Sequence, residues 1–389
     1  MSEPVPEVSV VMPCLNEAET LAVCIRKALE AFARSGIAGE VVVADNGSTD
    51  GSQEIATHEG ARLVPVAAKG YGNALMGGIA AARGKFVIMG DADDSYDFQE
   101  LPKFVLKLRE GFDLVQGCRL PWGGGMVLPG AMPWSHRWIG NPMFSVMSRW
   151  WFGAPIHDIY CGMRGFTKAH YEGLNQRCVG MEFATEMIIK SSLRGVKISE
   201  VPITLHPDGR TLHPPHLKTF RDGWRTLRFF LMFCPRWLFL IPGIAMILFG
   251  AAAGALALFR VTWGEIIFDV HTLLYGSLAI LCGYQAVLFA IFTKTFAVNE
   301  GMMPEDARML RFFAVVNLER GLGIGFAALI AGLALLVHVF GMWSGTHFGR
   351  MVYAVTMRWA IPGATLTALG FQTIMSGFFV SILGMKRKV

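Results

Sequence analysis

The sequence predicts an α/β domain built on a mainly parallel β-sheet, followed by a module of four membrane-spanning helices. Short apolar, β-branched runs alternate with helix-period segments over residues 1–236. This alternation is typical of a parallel sheet with right-handed crossovers. From Trp237 onward the chain instead carries long runs without charged residues. The two parts of the 389-residue chain are therefore expected to have different architectures.

The composition reflects the same division. Hydrophobic residues make up 53% of the chain and charged residues 17%, whereas a soluble protein usually carries about 25% charged residues. The seven cysteines are scattered, which indicates reduced thiols rather than a disulfide framework. No basic region precedes an apolar core at the N-terminus, so we expect no signal peptide. The net charge of +5 lies mostly beside apolar runs and favours anionic lipids, not nucleic acid, as partners.

Four stretches lack Asp, Glu, Lys and Arg for long enough to cross a bilayer, which takes about 20 apolar residues. They are Trp237–Phe259, Val270–Thr293, Gly321–Gly349 and Trp359–Met385. Their number and length argue against buried helices of a soluble core. We assign residues 237–389 to a transmembrane domain, residues 1–217 to a cytoplasmic α/β domain, and residues 218–236 to a segment between them.

Basic residues predict the orientation of these spans. With both termini inside, twelve Lys and Arg residues lie on the inner side and three on the outer side. The inner set is Lys218, Arg221, Arg225, Arg228, Arg236, Lys294, Arg308, Arg311, Arg320, Lys386, Arg387 and Lys388, and the outer set is Arg260, Arg350 and Arg358. The positive-inside rule favours this arrangement. We therefore expect a multi-pass cell-membrane protein whose first domain and both termini are cytoplasmic.

The segment between the two domains has the pattern of a helix that lies in the membrane interface. Residues 218–236 alternate basic and aromatic residues at helical spacing, so that Trp224 and Phe230 can share one face beside Arg225. An ordinary surface helix of the first domain is the alternative. The loop Asn299–Glu319 could hold a second interfacial helix.

In the first domain, polar clusters directly follow the predicted strands. These strands are Val8–Pro13, Glu40–Ala44, Arg62–Val66 and Phe86–Gly90, and Asp113–Gly117 is a further strand-like run. Ligands in parallel sheets bind beyond the carboxyl ends of the strands. The polar clusters therefore mark the expected site.

Two carboxylates after the fourth strand, Asp91 and Asp93, can converge on a hard divalent cation. Mg²⁺ and Mn²⁺ prefer oxygen ligands and commonly combine a few carboxylates with substrate phosphates. A second acidic cluster, with Asp45 and Asp50, follows the second strand. An Asx-turn or a helix N-cap is the alternative role of these two residues.

The order of short motifs indicates a family. The segments PCLNEAETL, VVVADNGSTDGS, KGYGNAL and GDAD resemble glycosyltransferase family 2, whose GT-A fold is a Rossmann-like mixed, mainly parallel sheet. The later segments GCRL, HDIYCGMRGF, GMEFATEM and VPITLHPDGR resemble its polyprenyl-phosphate branch, that of the dolichol-phosphate mannose and glucose synthases. The resemblance covers about residues 8–236.

This resemblance implies a nucleotide-sugar site that contains Mg²⁺ or Mn²⁺. In the family, the first Pro and Glu and the second-strand Asp hold the nucleoside, while the DxD motif holds the metal and the donor diphosphate. The predicted donor-binding residues are Pro13, Leu15, Glu17, Asp45, Asn46, Lys69, Asp91, Ala92, Asp93, Arg164 and Arg210, of which Asp91 and Asp93 are the metal ligands. Ser95 stands where the family often has a Gln that makes a further metal contact.

The resemblance also implies an acceptor site for a lipid phosphate. Arg119 and Arg137 match family arginines that bind this phosphate, and a planar guanidinium suits paired phosphate oxygens. Arg137 could instead contact lipid head groups. Arg164 and Arg210 could close over the donor diphosphate. His157 could have either a structural or a functional role. Asp158 and Glu182 match acidic positions in the family motifs, and each could instead orient a nearby arginine.

The sequence thus favours an enzyme that transfers a hexose from a UDP- or GDP-linked donor to a polyprenyl or dolichyl phosphate. We expect a metal-dependent, inverting reaction in which Asp91, Asp93, Arg119 and Arg137 are the catalytic set. Asp94 and Asp158 are the candidate general bases. A processive polysaccharide synthase and a membrane protein that binds a nucleotide sugar without turnover are the alternatives. The interpretation allows a homo-oligomer.

Overall fold

The computed structural model describes residues 5–210, 219–304, 311 and 317–385. The chain divides between Phe230 and Leu231 into two compact units. The first unit is an α/β domain, and long apolar helices make up most of the second. The domain boundary predicted between residues 217 and 218 lies outside the described residues, as does most of the predicted second interfacial helix.

The first unit is built on a seven-stranded sheet with the order β3-β2-β1-β4-β7-β5-β8. The strands are β1 Val8–Cys14, β2 Gly39–Asp45, β3 Arg62–Pro65, β4 Phe86–Met89, β5 Leu114–Cys118, β6 Met126–Val127, β7 Arg164–Thr167, β8 Ile198–Pro202 and β9 Thr204–Leu205. Strand β7 runs antiparallel to β4 and β5, while the other neighbours in this sheet pair in parallel. Strands β6 and β9 form a separate short pair. The predicted mixed, mainly parallel sheet is confirmed.

Helices connect the strands of this unit. They are α1 Leu21–Ser35, α2 Ser52–His58, α3 Tyr71–Ala81, α4 Leu101–Arg109, α5 Asn141–Phe152, α6 Lys168–Leu174 and α7 Glu182–Leu193. Helix α1 ends where Gly36 adopts a left-handed conformation with φ of 61°, a common way for a helix to terminate.

The central strands are covered on both faces. All seven residues of β1 are buried, and alternate side chains face different layers. Val10 and Met12 belong to the core that includes residues of α1 and α4. On the other face, Gly78 of α3 lies against Val11 and Ala44 so closely that a Cβ atom at residue 78 would be 2.5 Å from Val11 Cγ1. Burial on both faces explains why β1 and β2 read as continuous apolar runs.

The remaining helices lead from the first unit into the second. They are α8 Thr219–Phe233, α9 Ile241–Leu258, α10 Val270–Asn299, α11 Leu318–Gly345 and α12 Tyr353–Gly384. Four helices are long and apolar enough to cross a membrane: Arg236–Leu258, Val270–Asn299, Leu318–Gly345 and Tyr353–Gly384. The four predicted spans are therefore found as helices, which begin and end within several residues of the predicted bounds.

Candidate functional site

The register of the sheet brings the polar clusters to one edge. Cys14 at the end of β1 pairs with Asp45 at the end of β2, and Val11 pairs with Met89 at the end of β4. The residues that follow these strands, among them Glu17 and Asp91, therefore emerge at the same carboxyl edge. The site lies where parallel sheets of this type usually bind ligands.

The two DxD carboxylates are held from different sides. The hydroxyl of Tyr71, the first residue of α3, donates to Asp91 Oδ1 at 2.8 Å. Asp93 Oδ1 accepts from the Ser95 backbone N–H at 3.1 Å and from its hydroxyl at 2.6 Å. Asp93 Oδ2 accepts from Arg210 Nη2 at 3.1 Å. Ser95 thus orients Asp93 through hydrogen bonds.

Arg210 lies at the centre of the acidic cluster. Its guanidinium pairs with both oxygens of Asp208, and its Nη1 donates to Glu17 Oε1 at 3.0 Å. Burial alone would lower the pKa of Arg210, but the hydrogen bond to Asp208 and the charges of Glu17 and Asp93 hold that pKa above its usual range. Arg210 thus contacts the DxD motif through Asp93, and its contact with a donor diphosphate stays a prediction.

Glu17 is buried next to this cluster. It is 9% exposed, and its Oε2 is a buried atom without a hydrogen-bond partner. Burial raises the pKa of the Glu17 carboxyl to about 7, although the charge of Arg210 opposes the shift. Near neutral pH this side chain can therefore either donate or accept a hydrogen bond.

The donor set around Asp91 and Asp93 fits a divalent cation. Desolvation by the surrounding protein raises the pKa of the Asp91 carboxyl to about 6, and the charge of Asp93 adds to the shift. A cation relieves such repulsion between carboxylates. Within the described ranges there is no cluster of three or more His, Cys, Asp or Glu side chains arranged to hold a metal. Two carboxylates suit an ion that completes its shell with substrate phosphates.

The loop after β2 is organised by its own polar residues. Asp45 accepts from the backbone N–H of Gly47 at 3.0 Å and from Gln53 Nε2 at 2.8 Å. The Asn46 side chain donates to the carbonyl of Ala68 at 2.8 Å, and Lys69 Nζ donates to the Asn46 carbonyl at 2.5 Å. Asp45 and Asn46 therefore shape the loop, and their contact with a nucleoside stays a prediction.

Three further residues of the predicted donor set line this edge mainly through the backbone. Pro13 is buried within β1, and Leu15, just beyond the strand, is 41% exposed. Ala92 is buried, and its carbonyl accepts from Thr20 Oγ1 at 2.6 Å.

Asp50, in the acidic cluster after β2, accepts from the Ser52 backbone N–H and hydroxyl at the start of α2. It therefore has the role in a turn that the sequence analysis gave as the alternative to a ligand-binding role.

Arg119 has a different environment from the one expected of an acceptor-phosphate ligand. Its Nε and Nη2 donate to the two oxygens of Asp158 at 2.7 and 2.9 Å, and the residue is 7% exposed. Burial alone would lower the pKa of Arg119, but the charge of Asp158 outweighs it and holds that pKa well above its usual range. Asp158 thus pairs with the Nε and Nη2 side of the Arg119 guanidinium, and a contact between Arg119 and an acceptor phosphate stays a prediction.

A network around this pair was only partly apparent from the sequence. Glu200 accepts from the backbone N–H of His157 at 2.8 Å and lies 2.7 Å from its Nδ1. Tyr96 accepts from Arg119 Nη1 at 3.4 Å and from the Gly162 N–H at 2.8 Å. Glu200 and Tyr96 were missed because neither lies in a recognisable motif.

Arg164 lies inside the sheet, at the first position of β7, where it pairs with Met89 of β4. It is completely buried in β7 and donates to the carbonyls of Ala184 at 2.5 Å and Cys161 at 2.7 Å. Burial lowers the pKa of its guanidinium. Its side chain thus forms hydrogen bonds within the protein interior, and a contact with the donor diphosphate stays a prediction.

Arg137 belongs to a single π-helical turn, His136–Gly140, that leads into α5. Its guanidinium lies over the Trp138 ring at 5.2 Å from the centroid. The Arg137 Nε is a buried atom without a hydrogen-bond partner. Arg137 thus retains hydrogen-bond donor capacity, and its contact with an acceptor phosphate stays a prediction.

The chain combines a mainly parallel sheet that has a carboxylate pair after β4 with four helices, among the described residues, that are long and apolar enough to cross a membrane. Comparison with known proteins assigns the family. Residues 9–174 match the family described as Glycosyl transferase family 2, and residues 291–384 match the Glycosyltransferase family 2 C-terminal transmembrane region. The chain belongs to glycosyltransferase family 2, and it is a GT-A glycosyltransferase.

Two relatives come from Haloferax volcanii. The low-salt glycan biosynthesis hexosyltransferase Agl6 is 37% identical over 98% of this chain and 90% of its own length. A dolichyl-phosphate hexose transferase is 34% identical over 42% of this chain and 68% of its own length. Among solved structures, glucosyl-3-phosphoglycerate synthase from Mycobacterium tuberculosis, in complex with Mn²⁺, UDP and glucosyl-3-phosphoglycerate, aligns with a TM-score of 0.47 at 22% identity, over 59% of this chain and 80% of its own.

Proposed function

We propose that this glycosyltransferase moves a hexose from a UDP- or GDP-linked donor to a polyprenyl or dolichyl phosphate at the cytoplasmic face of the membrane. The observation that carries the proposal is the meeting of Glu17, Asp93 and Arg210 beside Asp91, in a chain that continues into four candidate spans. A similar protein that is named a dolichyl-phosphate hexose transferase supports the acceptor class.

The donor diphosphate is expected beside Asp91 and Asp93, which would hold Mg²⁺ or Mn²⁺. Such an ion, when bound, offsets the charge that develops on a departing nucleoside diphosphate. Tyr71 holds Asp91 and Ser95 holds Asp93 through hydrogen bonds. Arg210 supplies a further cation at the same place, and it would reach diphosphate oxygens by exchanging one of its carboxylate partners, Asp208, Glu17 or Asp93.

The acceptor chemistry needs little help from a general base. A phosphate monoester has a second pKa of about 6, so near neutral pH it is already a nucleophilic dianion. The two candidate bases are engaged in ion pairs: Asp94 accepts from Lys27 at 2.7 Å, and Asp158 is paired with Arg119. Both observations favour direct displacement with inversion at the anomeric carbon, in which the protein mainly positions the reactants.

A donor screen tests the reaction. The purified full chain in nanodiscs is mixed with a panel of UDP- and GDP-hexoses and a short polyprenyl phosphate, and products are identified by mass spectrometry. We expect one donor to give a lipid-phosphate hexose whose anomeric configuration, read by NMR, is inverted. Donor turnover that does not require the lipid phosphate, or a retained configuration, contradicts the proposal.

A matched pair of substitutions tests the metal. Asp93→Asn removes a proposed ligand and should lose about two orders of magnitude or more in turnover, and EDTA should abolish activity. Asp97→Asn is the control, because Asp97 caps the backbone N–H of Gln99 at 3.0 Å and Asn can cap equally well. Near-normal turnover of Asp93→Asn, or full activity in EDTA, would refute the assignment.

A further inference from the structure

Helix α7 carries a buried ion pair outside the polar clusters that follow the strands. Glu186 and Lys190 lie one turn apart, are 1% and 2% exposed, and their charged groups are 2.6 Å apart. Two charges that are buried together gain little net stability from their attraction, because removing each of them from water is costly. The pair therefore acts on the fold mainly through the other groups that its two side chains bind.

Both side chains hold the backbone that connects α6 to α7. Lys190 Nζ donates to the Asn175 carbonyl at 2.7 Å, just after the last residue of α6. Glu186 Oε2 accepts from the backbone N–H groups of Arg177 and Cys178, at 3.0 and 2.8 Å. Hydrogen bonds in which one partner is charged are about twice as strong as neutral ones. The ion pair therefore fixes the path of this connection.

The α6–α7 connection, residues 175–181, contacts the start of α3. The Val179 carbonyl accepts from the Gly72 backbone N–H at 2.9 Å. The first N–H groups of a helix lack partners within that helix, and the N-cap Gly70 has no side chain to supply one. A Cβ atom at Gly70 would lie 2.6 Å from the Val179 oxygen, and one at Gly72 would lie 2.5 Å from the Cys178 oxygen. The two glycines therefore allow the connection to come close enough to cap α3.

Helix α3 continues this series of bonds to the DxD motif. Its first residue, Tyr71, donates from its hydroxyl to Asp91 Oδ1 at 2.8 Å. Tyr71 lies between the two glycines that the connection contacts, so displacement of the connection would move the side chain that holds Asp91. Glu186 and Asp91 are thus linked through a series of backbone and side-chain hydrogen bonds, although one lies on α7 and the other follows β4.

We propose that Glu186, with Lys190, is a positioning residue for the donor site. It holds the α6–α7 connection in the path that caps α3, and α3 in turn aims Tyr71 at Asp91. The inference rests on the proposed function for its catalytic consequence, because Asp91 is a proposed metal ligand. A glutamine cannot replace Glu186, since an amide nitrogen in place of either carboxylate oxygen would face the Lys190 ammonium or a backbone N–H, which are themselves donors.

Hydrogen exchange of the full chain in nanodiscs, read by mass spectrometry, tests the link itself. Glu186→Gln should make the first turn of α3 exchange roughly 2–10-fold faster, the size expected for the loss of one hydrogen bond at the Gly72 amide. Val105→Ala is the control, because Val105 is a buried residue of α4 whose truncation destabilises the same unit through a cavity. It should leave the first turn of α3 unchanged. Unchanged exchange in Glu186→Gln, or equal acceleration in both variants, would overturn the inference.

A second variant breaks the same link while the buried pair stays intact, which covers the case that Glu186→Gln does not fold. Gly72→Ala places a methyl group against the Cys178 carbonyl and should push the connection away from α3, with the same increase in exchange. Ala80→Ser, at an exposed position near the end of the same helix, should leave the exchange unchanged. If Gly72→Ala exchanged like the wild type, the connection would not be what holds α3, and the inference would fail.

Binding of Mn²⁺ in the presence of UDP or GDP, measured from the electron paramagnetic resonance signal of free Mn²⁺, tests the consequence for the donor site. Glu186→Gln and Gly72→Ala should weaken binding by about 10–100-fold, the size typical of residues that orient metal ligands, while Ala80→Ser and Val105→Ala should bind normally. Loss of binding in Asp93→Asn with normal binding in Glu186→Gln and Gly72→Ala would overturn the inference alone. Normal binding in all three would overturn the proposed metal site together with the inference.

Discussion

Among single residues, Arg119 and Asp158 form a buried, bidentate ion pair whose energetics differ from those of an exposed pair. Asp158 is completely buried, and Arg119 is 7% exposed. Removing one partner leaves an uncompensated buried charge, so Arg119→Ala should lower the free energy of unfolding by about 3–5 kcal/mol. The double variant Arg119→Ala with Asp158→Ala should lose less than the sum of the single changes.

The comparison pair for this experiment is Arg109 and Glu7. It is also bidentate, at 2.8 and 2.6 Å, but its side chains are 47% and 30% exposed. Arg109→Ala should therefore cost less than about 1 kcal/mol. The measurement is chemical unfolding of the full chain in detergent. Additive losses at Arg119 and Asp158 would show that the pair is not coupled.

Tyr71 orients Asp91, one of the two proposed metal ligands. Its hydroxyl donates to Asp91, and burial raises the Tyr71 pKa well above its usual value, so it stays a donor near neutral pH. Tyr71→Phe keeps the ring but frees Asp91. We expect a loss of about 10–100-fold in Mn²⁺ affinity or activity, the size typical of residues that orient ligands. Tyr171→Phe is the control, because that ring stacks on Phe166; equal effects of the two changes would contradict the role of Tyr71.

Glu17 provides a pH test with a definite sign. Burial raises its pKa from 4.5 to about 7. Between these values the folded protein keeps a proton that the unfolded chain has released, so the free energy of unfolding falls as the pH rises. Relative to Glu17→Gln, the wild type should lose up to about 3 kcal/mol between pH 5 and 8. The measurement is the unfolding temperature of both proteins across this range, and a constant difference would be the contrary result.

The sequence predicted the parts of the site that lie next to a strand end. Asp91 and Asp93 directly follow the apolar run of β4. The sequence alone therefore places them at the carboxyl end of a strand, where parallel sheets bind ligands. Asp158 was a candidate partner of a nearby arginine, but its pairing with Arg119 could not be specified, because 39 residues separate the two in the chain. The complete burial of Arg164 in β7 was not predicted, because its motif gives no sign of how the strand is covered.

Among helices and strands, prediction succeeded where apolar runs were long and buried. The bounds predicted for the first four strands agree with β1 to β4 within about one residue. Strand β7 was not predicted, because its four residues, RGFT, include an arginine and a glycine. These residues form a strand because they pair antiparallel with β4 and β5. The local sequence does not show this pairing, because the partner strands are distant in the chain.

In the apolar helices, glycines allow close contact between neighbouring backbones. A Cβ atom at Gly332 of α11 would lie 2.4 Å from the Thr367 backbone nitrogen of α12, and one at Gly250 of α9 would lie 2.4 Å from the Gly276 carbonyl of α10. Small residues at such interfaces let membrane helices approach. In both helix pairs, α9 with α10 and α11 with α12, glycines therefore allow the two backbones to approach closely.

Substitution of these glycines should separate the helices. Gly332→Val should lower the free energy of unfolding by about 1–3 kcal/mol or more, because the added side chain meets backbone that cannot move aside easily. Gly323→Val on the same helix is the control, since no atom lies within 4 Å of a Cβ there. Thermal unfolding in nanodiscs compares the two. Equal unfolding temperatures would show that the close approach contributes little.

For the whole molecule, charge governs how the spans are expected to lie in the membrane. Of the three basic residues predicted outside, Arg358 is locally neutralised: its Nη2 donates to Asp269 at 2.6 Å, and its Nη1 donates to the Ala257 carbonyl at 2.5 Å. These bonds join the start of α12 to the end of α9 and to the residue that precedes α10. Because the positive-inside rule counts basic residues and not net charge, the expected orientation rests on the twelve inner and three outer Lys and Arg residues.

Reporter fusions test this topology. Fusions after Arg260 and after Arg350 should report the outside, because the loops there carry few basic residues, and a fusion at Glu305, which lies outside the described residues, should report the inside. Arg358→Ala serves as the control, since removal of a neutralised charge should leave all three reports unchanged. The same orientation places the catalytic unit on the cytoplasmic side, where nucleotide sugars are expected. If the fusion at Glu305 reported the outside, the middle loop would be external, and the four-span arrangement with both termini inside would be excluded.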